Sequence, residues 1–437
     1  MKRLLLLTTT TGYQARQFRE AAERIGVPLV LASDNCHGLD NPWNDGAISV
    51  RFQKPQASAA KIREFALHQA IDGVVAIGDA PTLTAAVTAR ALGAKFHSPE
   101  AVEVCRNKFL ARERYKAAAM RVPWYMRFKV HADQHQAARA VPYPCVLKPL
   151  GLSASRGVIR ANHEAEFAEA FARIRRLLQH KDVKILREES TGWIQVESFI
   201  AGREFAVEGL LSRGRLRVLA IFDKPDPLDG PFFEETIYVT PSRLNAAEQQ
   251  ELMRCAELAV AAVGLTHGPV HMEMRLNGEG AWMLDIAARP IGGLCAGALR
   301  FSVQRNNSTD CHSDPEWSEG EESAVVSLEE LILRHAAGED VSGYERESRA
   351  SGVMMIPIPR AGFYEGAEGL EEAERIAGVE RIDITAKLRQ KLVPLPEGAS
   401  YLGFIFARAE TPEKVERALR DAYSKLRFEI SVAIPVL

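Results

Sequence analysis

The sequence predicts a mixed α/β and α+β protein: an N-terminal doubly wound parallel sheet, then a two-lobed α+β region, then a C-terminal α+β domain. Three observations carry this expectation. The order strand, loop, helix, strand occurs at residues 3–32, and its first three steps recur at 71–92. Apolar strands that carry single charged residues follow from 143 to 286, and a second series of strands and helices runs from 325 to the end. With 437 residues, 46% hydrophobic and 26% charged, the chain is long enough for two or three packed domains of ordinary globular composition.

The 55 basic and 57 acidic side chains give a net charge of −2. That leaves no cationic excess for nucleic acid or an anionic membrane surface, so small-molecule chemistry is expected. The six cysteines (Cys36, Cys105, Cys145, Cys255, Cys295 and Cys311) are scattered, without the close pairs of structural zinc or redox motifs. Met1-Lys2-Arg3 and the four leucines after it resemble the start of a signal peptide, but the short apolar run gives way to four threonines. No other run approaches the length of a membrane span. A reducing, cytoplasmic location is the expectation.

Residues 3–7 read as a short strand ending in Thr8-Thr9-Thr10-Thr11-Gly12, followed by a helix at 14–25 and a strand at 28–32. Residues 71–77, Gly78-Asp79 and the alanine-rich 82–92 repeat the order, so 1–97 form one domain whose strand ends face a crevice. Its loop lacks the spaced glycines of a dinucleotide fingerprint. Ser98-Pro99-Glu100 caps a helix with Asn107 and Lys108 at its centre, and a second helical stretch reaches Met120. Val122-Pro123-Trp124 opens a further lobe, with a helix at 131–139.

The buried strand 143–150, YPCVLKPL, carries one lysine, Lys148, which is costly there unless an anion meets it. It runs into Gly151-Leu152-Ser153-Ala154-Ser155-Arg156-Gly157. In such a loop backbone N–H groups can converge on phosphate oxygens, with Ser153, Ser155 and Arg156 as further donors. A strand at 158–160 and a helix at 164–178 follow. The strand 193–200, WIQVESFI, sets Glu197 among apolar neighbours and turns through Ala201-Gly202-Arg203-Glu204 into a return strand at 205–211. A buried carboxylate calls for a specific partner, either an amino-bearing base or a salt-bridging side chain of the hairpin itself.

In the stretch 266–293, Val270, Met272 and Met274 alternate with His271, Glu273 and Arg275, the pattern of a half-buried strand. Asn277-Gly278-Glu279-Gly280 and a strand at 281–286 complete a hairpin. A three-residue loop at 278–280 pairs Asn277 with Ala281 and sets Glu273 opposite Asp285, with β-carbons roughly 5 Å apart. A four-residue loop would put them on opposite faces. Carboxylates that close share a proton or a cation; a surface hairpin with one acid per strand is the plainer reading. His271, on the face of Glu273, is either a substrate contact or a structural histidine.

Together, Lys148 and its strand, the 151–157 loop, VESFIAGREF and EMR…LDIAAR resemble the ATP-grasp superfamily, and the preceding sheet resembles its usual N-terminal, Rossmann-like domain. The resemblance implies an ATP-grasp domain at 98–301, with a small lobe at about 122–190 and a large lobe at about 191–301, and ATP between them. It puts Lys108 and Lys148 on the phosphates, with the loop of Ser153, Ser155, Arg156 and Gly157 folded over them. Ser198 and Ile200 would meet adenine through their backbone, Glu197 would lie beside its amino group, and Glu204 at the ribose. Glu273 and Asp285 would hold one or two Mg2+ ions, with Mn2+ as an alternative. Arg289 matches the arginine that faces the transferred phosphoryl group, so Lys148 and Arg289 are the catalytic candidates. Gly292 and Gly293 are candidates for substrate contact. Two positions depart from many members: Asp285 replaces a glutamate, and Ala287 an asparagine that serves as a further metal ligand.

The acid-x-Ala-Ala-Arg form is similar to bacterial L-amino-acid ligases that make dipeptides. The tail resembles their C-terminal domain: a helix at 325–336, a strand at 353–358, a helix, further strands, a strand at 401–409, a helix at 412–426 and an edge strand. The resemblance implies that residues 324–437 complete the substrate pocket, with Gly362-Phe363-Tyr364 as a candidate loop. Residues 302–323, SVQRNNSTDCHSDPEWSEGEES, form a polar, acidic insertion that is not expected to fold by itself. The implied activity is ATP-dependent carboxylate–amine ligation, with small-molecule carboxylate and amine partners, neither nucleic acid nor membrane, and room for a homodimer. Carboxylation of the biotin-carboxylase type and non-catalytic nucleotide binding are the alternatives.

Overall fold

The computed structural model describes residues 2–9, 14–34, 47–184, 189–303 and 325–432. Thr10, Thr11 and Gly12 lie outside these residues, as does the expected insertion apart from Ser302 and Val303.

Leu4, Leu5, Leu6 and Leu7 are all fully buried because the strand Leu4–Thr8 lies inside a four-stranded parallel sheet. The strand order is Ala47–Ser49, Leu29–Ser33, Leu4–Thr8, Gly73–Ile77. Leu5 and Leu7 pack with Ala85 and Ala89, while Leu4 and Leu6 pack with Leu331 and Ile332 of the helix Leu328–Ala336. Burial on both faces explains why this strand reads as an unbroken apolar run. The approach from the C-terminal side is tight: a β-carbon on Gly73 would sit 2.2 Å from the Ala336 carbonyl oxygen.

Ser98 caps a helix as expected, accepting the Ala101 N–H, but the helix Pro99–Cys105 stops short of Asn107. Asn107 caps a new helix, Lys108–Ala117, its side-chain oxygen accepting the N–H groups of Phe109 and Leu110. Lys108 is therefore the first residue of the second helix, not the centre of the first. An asparagine carbonyl competes with the backbone for orphan amides, which favours ending one helix and starting another.

The small lobe is a four-stranded antiparallel sheet ordered Tyr125–Lys129, Trp193–Ser198, Cys145–Pro149, Ile159–Ala161, so the strand at 193–198, expected in the large lobe, pairs within the small one. The helix Glu164–Leu178 covers it with Phe167, Phe171 and Ile174. An eight-stranded antiparallel sheet forms the rest of the scaffold, in the order Gly280–Ala287, Gly268–Asn277, Arg203–Ser212, Arg215–Asp223, Ile237–Thr240, Ala350–Ile356, Gly403–Ala409, Val379–Ile384. Its last three strands come from beyond residue 324, so the C-terminal region extends the sheet of the large lobe edge to edge. The helix Ala246–Val263, opened by a reciprocal Asn245–Glu248 cap, covers the hairpin end, and Pro412–Lys425 covers the other. Among the described residues no helix is long and apolar enough to cross a membrane.

The hairpin turns on two residues, Gly278 and Glu279, with Asn277 opposite Gly280, rather than on the expected three. A regular ladder from that turn would set Glu273 opposite Leu284. The register instead shifts between Met274 and Glu273, skips Leu284, and brings Glu273 opposite Asp285. The predicted pair therefore forms, but through a β-bulge in place of a longer loop. Arg112 Nη2 holds the Leu284 carbonyl at 2.9 Å.

Candidate active site

A cleft of ≈ 310 Å³ lies between the small lobe and the hairpin. Lys108, Lys148, Ser153, Ser155, Arg156, Glu197, Ser198, Ile200, Glu204, Glu273, Asp285 and Arg289 all line it, from segments nearly two hundred residues apart in sequence. Gly157, His271, Gly292 and Gly293 sit behind that lining.

Lys148 projects from the strand Cys145–Pro149 with its Nζ 2.6 Å from Glu197 Oε2. Glu197 also receives Arg112 Nε at 2.7 Å and Gln195 Nε2 at 2.6 Å, and is 2% exposed. Burial pushes its carboxyl up, but the charges of Arg112 and Lys148 outweigh this and hold it at about 2. Both oxygens are thus engaged by the chain's own side chains. Glu197 is the buried counter-ion of Lys148.

Glu204 is likewise committed: its oxygens meet Arg275 Nε at 3.0 Å and Lys224 Nζ at 2.9 Å. Arg275 Nη1 donates to the Ile200 carbonyl at 2.6 Å. The Ser198 N–H donates to the Trp124 carbonyl, and its hydroxyl accepts the Trp124 N–H. Ser198 and Ile200 therefore sit on a segment pinned on both sides.

In the small-residue loop, Ala154 and Ser155 have φ of 55° and 54°, a left-handed conformation that non-glycine residues rarely adopt. Gly157 is also left-handed, and a β-carbon there would lie 2.7 Å from Pro149 Cγ. The Gly157 N–H goes to the Pro396 carbonyl at 2.8 Å, and Arg156, which lines the cleft, gives its Nε to the Glu397 carbonyl at 2.7 Å. Lys108 closes the loop's near end, donating to the Leu152 carbonyl at 3.1 Å and pairing with Asp285 at 3.0 Å. Burial disfavours the charged form of Lys108, but Asp285 and Asp79 keep it above the usual lysine range.

Beside the Glu273–Asp285 pair, oxygens of Glu204, Glu235 and Glu273 all lie within 4.8 Å of one another. Lys224, 2% exposed, sits among them: 2.9 Å from Glu204, 3.8 Å from Glu273 and hydrogen-bonded to Glu235. Burial, then the charges of Glu235 and other acids, push the Glu273 carboxyl up, against the pull of Lys224. Carboxylate oxygens this crowded suit a cation: the Lys224 ammonium lies among them, and an all-carboxylate set is also of the kind that holds a hard divalent ion. Sequence reasoning missed Lys224 and Glu235. The rule that singled out Lys148 applies equally to Lys224, which follows the apolar strand Arg215–Asp223; Glu235 lies in a segment without periodicity and had no such signal.

Arg289 Nε and Nη2 each lie 3.0 Å from an oxygen of Asp79, the first residue of the helix Asp79–Leu92. Gly78, at φ 78°, makes the turn that puts Asp79 there. Burial raises the Asp79 carboxyl, but Arg289 outweighs it and holds it at about 2. His271 Nδ1 is 3.1 Å from Glu208, and its Nε2 is 3.9 Å from Glu273. Burial, then Arg289 and Lys224, lower His271 to about 3, so it is a neutral imidazole at neutral pH. Glu208, fully buried and pushed up by that burial, accepts the Ile291 N–H at 3.2 Å and so anchors the 289–293 loop. Gly293, at φ 60°, packs where a β-carbon would meet Phe404 at 2.9 Å, and a β-carbon on Gly292 would lie 3.8 Å from Arg289 Nη1.

Comparison with known proteins agrees with this geometry. The ATP-grasp domain model matches residues 141–298, and the model for L-amino acid ligase C-terminal domain 2 matches 354–431. Protein y4rH of Sinorhizobium fredii is 22% identical over 442 residues, covering 99% of this chain and 84% of that one. Alanine–anticapsin ligase of Bacillus subtilis is 25% identical over 215 residues, 46% of this chain and 44% of the ligase, so the matched part is less than half of that relative. The crystal structure of an L-amino acid ligase from Bacillus licheniformis superimposes with a TM-score of 0.80 at 25% identity, covering 99% of both chains. Fold, site lining and both domain matches agree: the chain carries an ATP-grasp domain over residues 141–298, followed by an L-amino acid ligase C-terminal domain over 354–431.

Proposed function

We propose that the chain activates the carboxylate of an amino acid with ATP and joins it to an amine, releasing ADP and phosphate. The observation that carries this reading is the convergence on one cleft of Lys108, Lys148 and Arg289 with the paired acids Glu273 and Asp285. The likeness to an L-amino acid ligase over nearly the whole chain supports it.

The substrate carboxylate attacks the γ-phosphorus in line, giving an acyl phosphate and ADP. The amine nitrogen then attacks the acyl carbon and phosphate leaves. The protein's part is positioning and charge neutralisation. Lys148, aimed by Glu197, and Lys108, at a helix start, meet phosphate oxygens, and Ser153 and Ser155 add hydroxyl donors. Ser198 and Ile200 line the base site and Glu204 the sugar side. Arg289, oriented by Asp79, faces the transferred group, and the Gly292 and Gly293 amides lie behind it for the tetrahedral oxyanion. Glu273 and Asp285 would hold magnesium, which would supply charge neutralisation for the transferring group. In this reading, residues 98–301 bind nucleotide while 1–97 and 324–437 wall the substrate pocket.

Phosphate release measured with panels of amino-acid pairs, with bicarbonate and without acceptor tests the proposal. Release that depends on a pair of amino acids is expected. Turnover with bicarbonate in place of the pair would assign carboxylation, and no turnover under any condition would leave a nucleotide-binding protein without this activity.

A further inference from the structure

The loop at 394–399, from the C-terminal region, reaches across to the small lobe. It grips two places there. The Pro396 and Glu397 carbonyls take the Gly157 N–H at 2.8 Å and Arg156 Nε at 2.7 Å. The Glu397 carboxylate takes Arg173 of the helix Glu164–Leu178 in a two-pronged pair, Nε at 2.5 Å and Nη2 at 2.9 Å. Ala399 itself lines the cleft.

The gripping loop is built to keep its shape. The Gly398 N–H closes it onto the Pro394 carbonyl at 2.9 Å, and a β-carbon on Gly398 would fall 1.8 Å from the Val393 carbonyl oxygen, so only glycine fits. The loop it holds is of the opposite kind: Ala154 and Ser155 stand side by side in left-handed backbone, a conformation that persists only where surroundings over-determine it. Within the loop, the hydrogen bonds from Arg156 N to the Ser153 carbonyl and from Val158 N to the Ser155 carbonyl span only the turn itself. From outside, Asp79 meets Ser153 and Lys108 the Leu152 carbonyl at the near end, while the C-terminal region holds Arg156 and Gly157 at the far end.

We propose that Glu397 is a positioning residue for the nucleotide: through Arg173 it seats the 394–399 loop against the small lobe and so holds residues 153–157 in the shape that receives the phosphates. This rests on the reading of 153–157 as the phosphate loop. The C-terminal region thereby acts on ATP as well as on the amino-acid substrates. Without the carboxylate, the 153–157 loop relaxes toward right-handed backbone and must be reordered each time a triphosphate binds. The contact concerns the β and γ phosphates, so a nucleotide lacking them is unaffected.

Calorimetric titration of the whole chain with β,γ-imido-ATP and Mg2+, and separately with AMP, tests this. Glu397→Ala is expected to weaken the imido analogue about fivefold, the size of one good partly exposed ion pair, and to leave AMP unchanged. The charge swap Arg173→Glu with Glu397→Arg should recover most of the loss, which a general loosening of the lobe would not. Wild-type affinity for the analogue in Glu397→Ala overturns the proposal, as does equal weakening of AMP. If Lys148→Ala weakens the analogue while Glu397→Ala does not, the nucleotide reading stands and the proposal alone fails. A wild-type chain that binds no analogue removes both.

Discussion

Arg289 grips Asp79 through two parallel hydrogen bonds of 3.0 Å, joining the end of the hairpin to a strand–helix turn 210 residues earlier. The N-terminal sheet thus contributes an orienting carboxylate to the candidate site. Asp79→Ala should leave Arg289 free to swing and lower kcat/KM for ligation on the order of 10²-fold, the usual cost of misplacing a catalytic group by about an ångström. Steady-state kinetics on the folded variant checks this, and near-wild-type turnover would show that Arg289 needs no orienting partner.

Glu273→Gln keeps the shape of the side chain but removes its charge from the acid cluster. Turnover should drop on the order of 10³-fold, and binding of Mn2+, followed by electron paramagnetic resonance, should weaken in parallel. A variant with wild-type turnover would take Glu273 out of the metal site.

Lys224→Met leaves Glu204, Glu235 and Glu273 facing one another with less positive charge between them. Because the lysine is buried, the loss should cost about 3 kcal/mol of stability without divalent cation. Added Mg2+ should return part of it by entering the same cluster. Urea denaturation with and without MgCl2 measures both, and a loss independent of Mg2+ would show that the cluster takes up no cation.

The buried histidines should weaken the fold in acid before ordinary carboxylates titrate. Burial, ahead of every other cause, lowers His97 and His335 to about 4 and His271 to about 3. An unfolded histidine titrates near 6.5, so between that pH and the folded value the unfolded chain binds more protons. The histidines' contribution is therefore full above about pH 6.5 and falls below it, by up to about 1.4 kcal/mol per unit for each, while Glu208 and Glu273, pushed up by burial, oppose that slope. Asp79 and Glu197, both held at about 2, add a further loss only as pH drops below the ordinary carboxylate range. Proton NMR of the histidine rings between pH 7.5 and 5 checks this: three rings that stay neutral are expected, and protonation of all of them near pH 6.5 would rule out neutral buried histidines.

Much of this was legible in the chain. The helix expected at 164–178 is the helix Glu164–Leu178, because His163 caps it and its apolar positions recur at helical spacing. Lys148 stood out as a charge in an apolar strand, and its neighbour Glu197 as an acid in another; the structure pairs them at 2.6 Å. The Glu273–Asp285 pairing was also readable, although the reason was not. A two-residue turn and a bulge give the same register as a three-residue loop, and hydrophobic alternation does not distinguish them.

Tertiary structure decided the rest. Local propensity and periodicity act over a few residues, so the sequence alone determined most of the elements and the residue types that line the cleft. Asp79 on Arg289, Glu235 on Lys224 and Glu397 on Arg173 are partners separated by loops or whole domains. Each pair is set by how the sheets and lobes pack, and no spacing rule reaches across such distances. For the same reason no local reading shows that Arg156 Nε and the Gly157 N–H meet a loop from the C-terminal region.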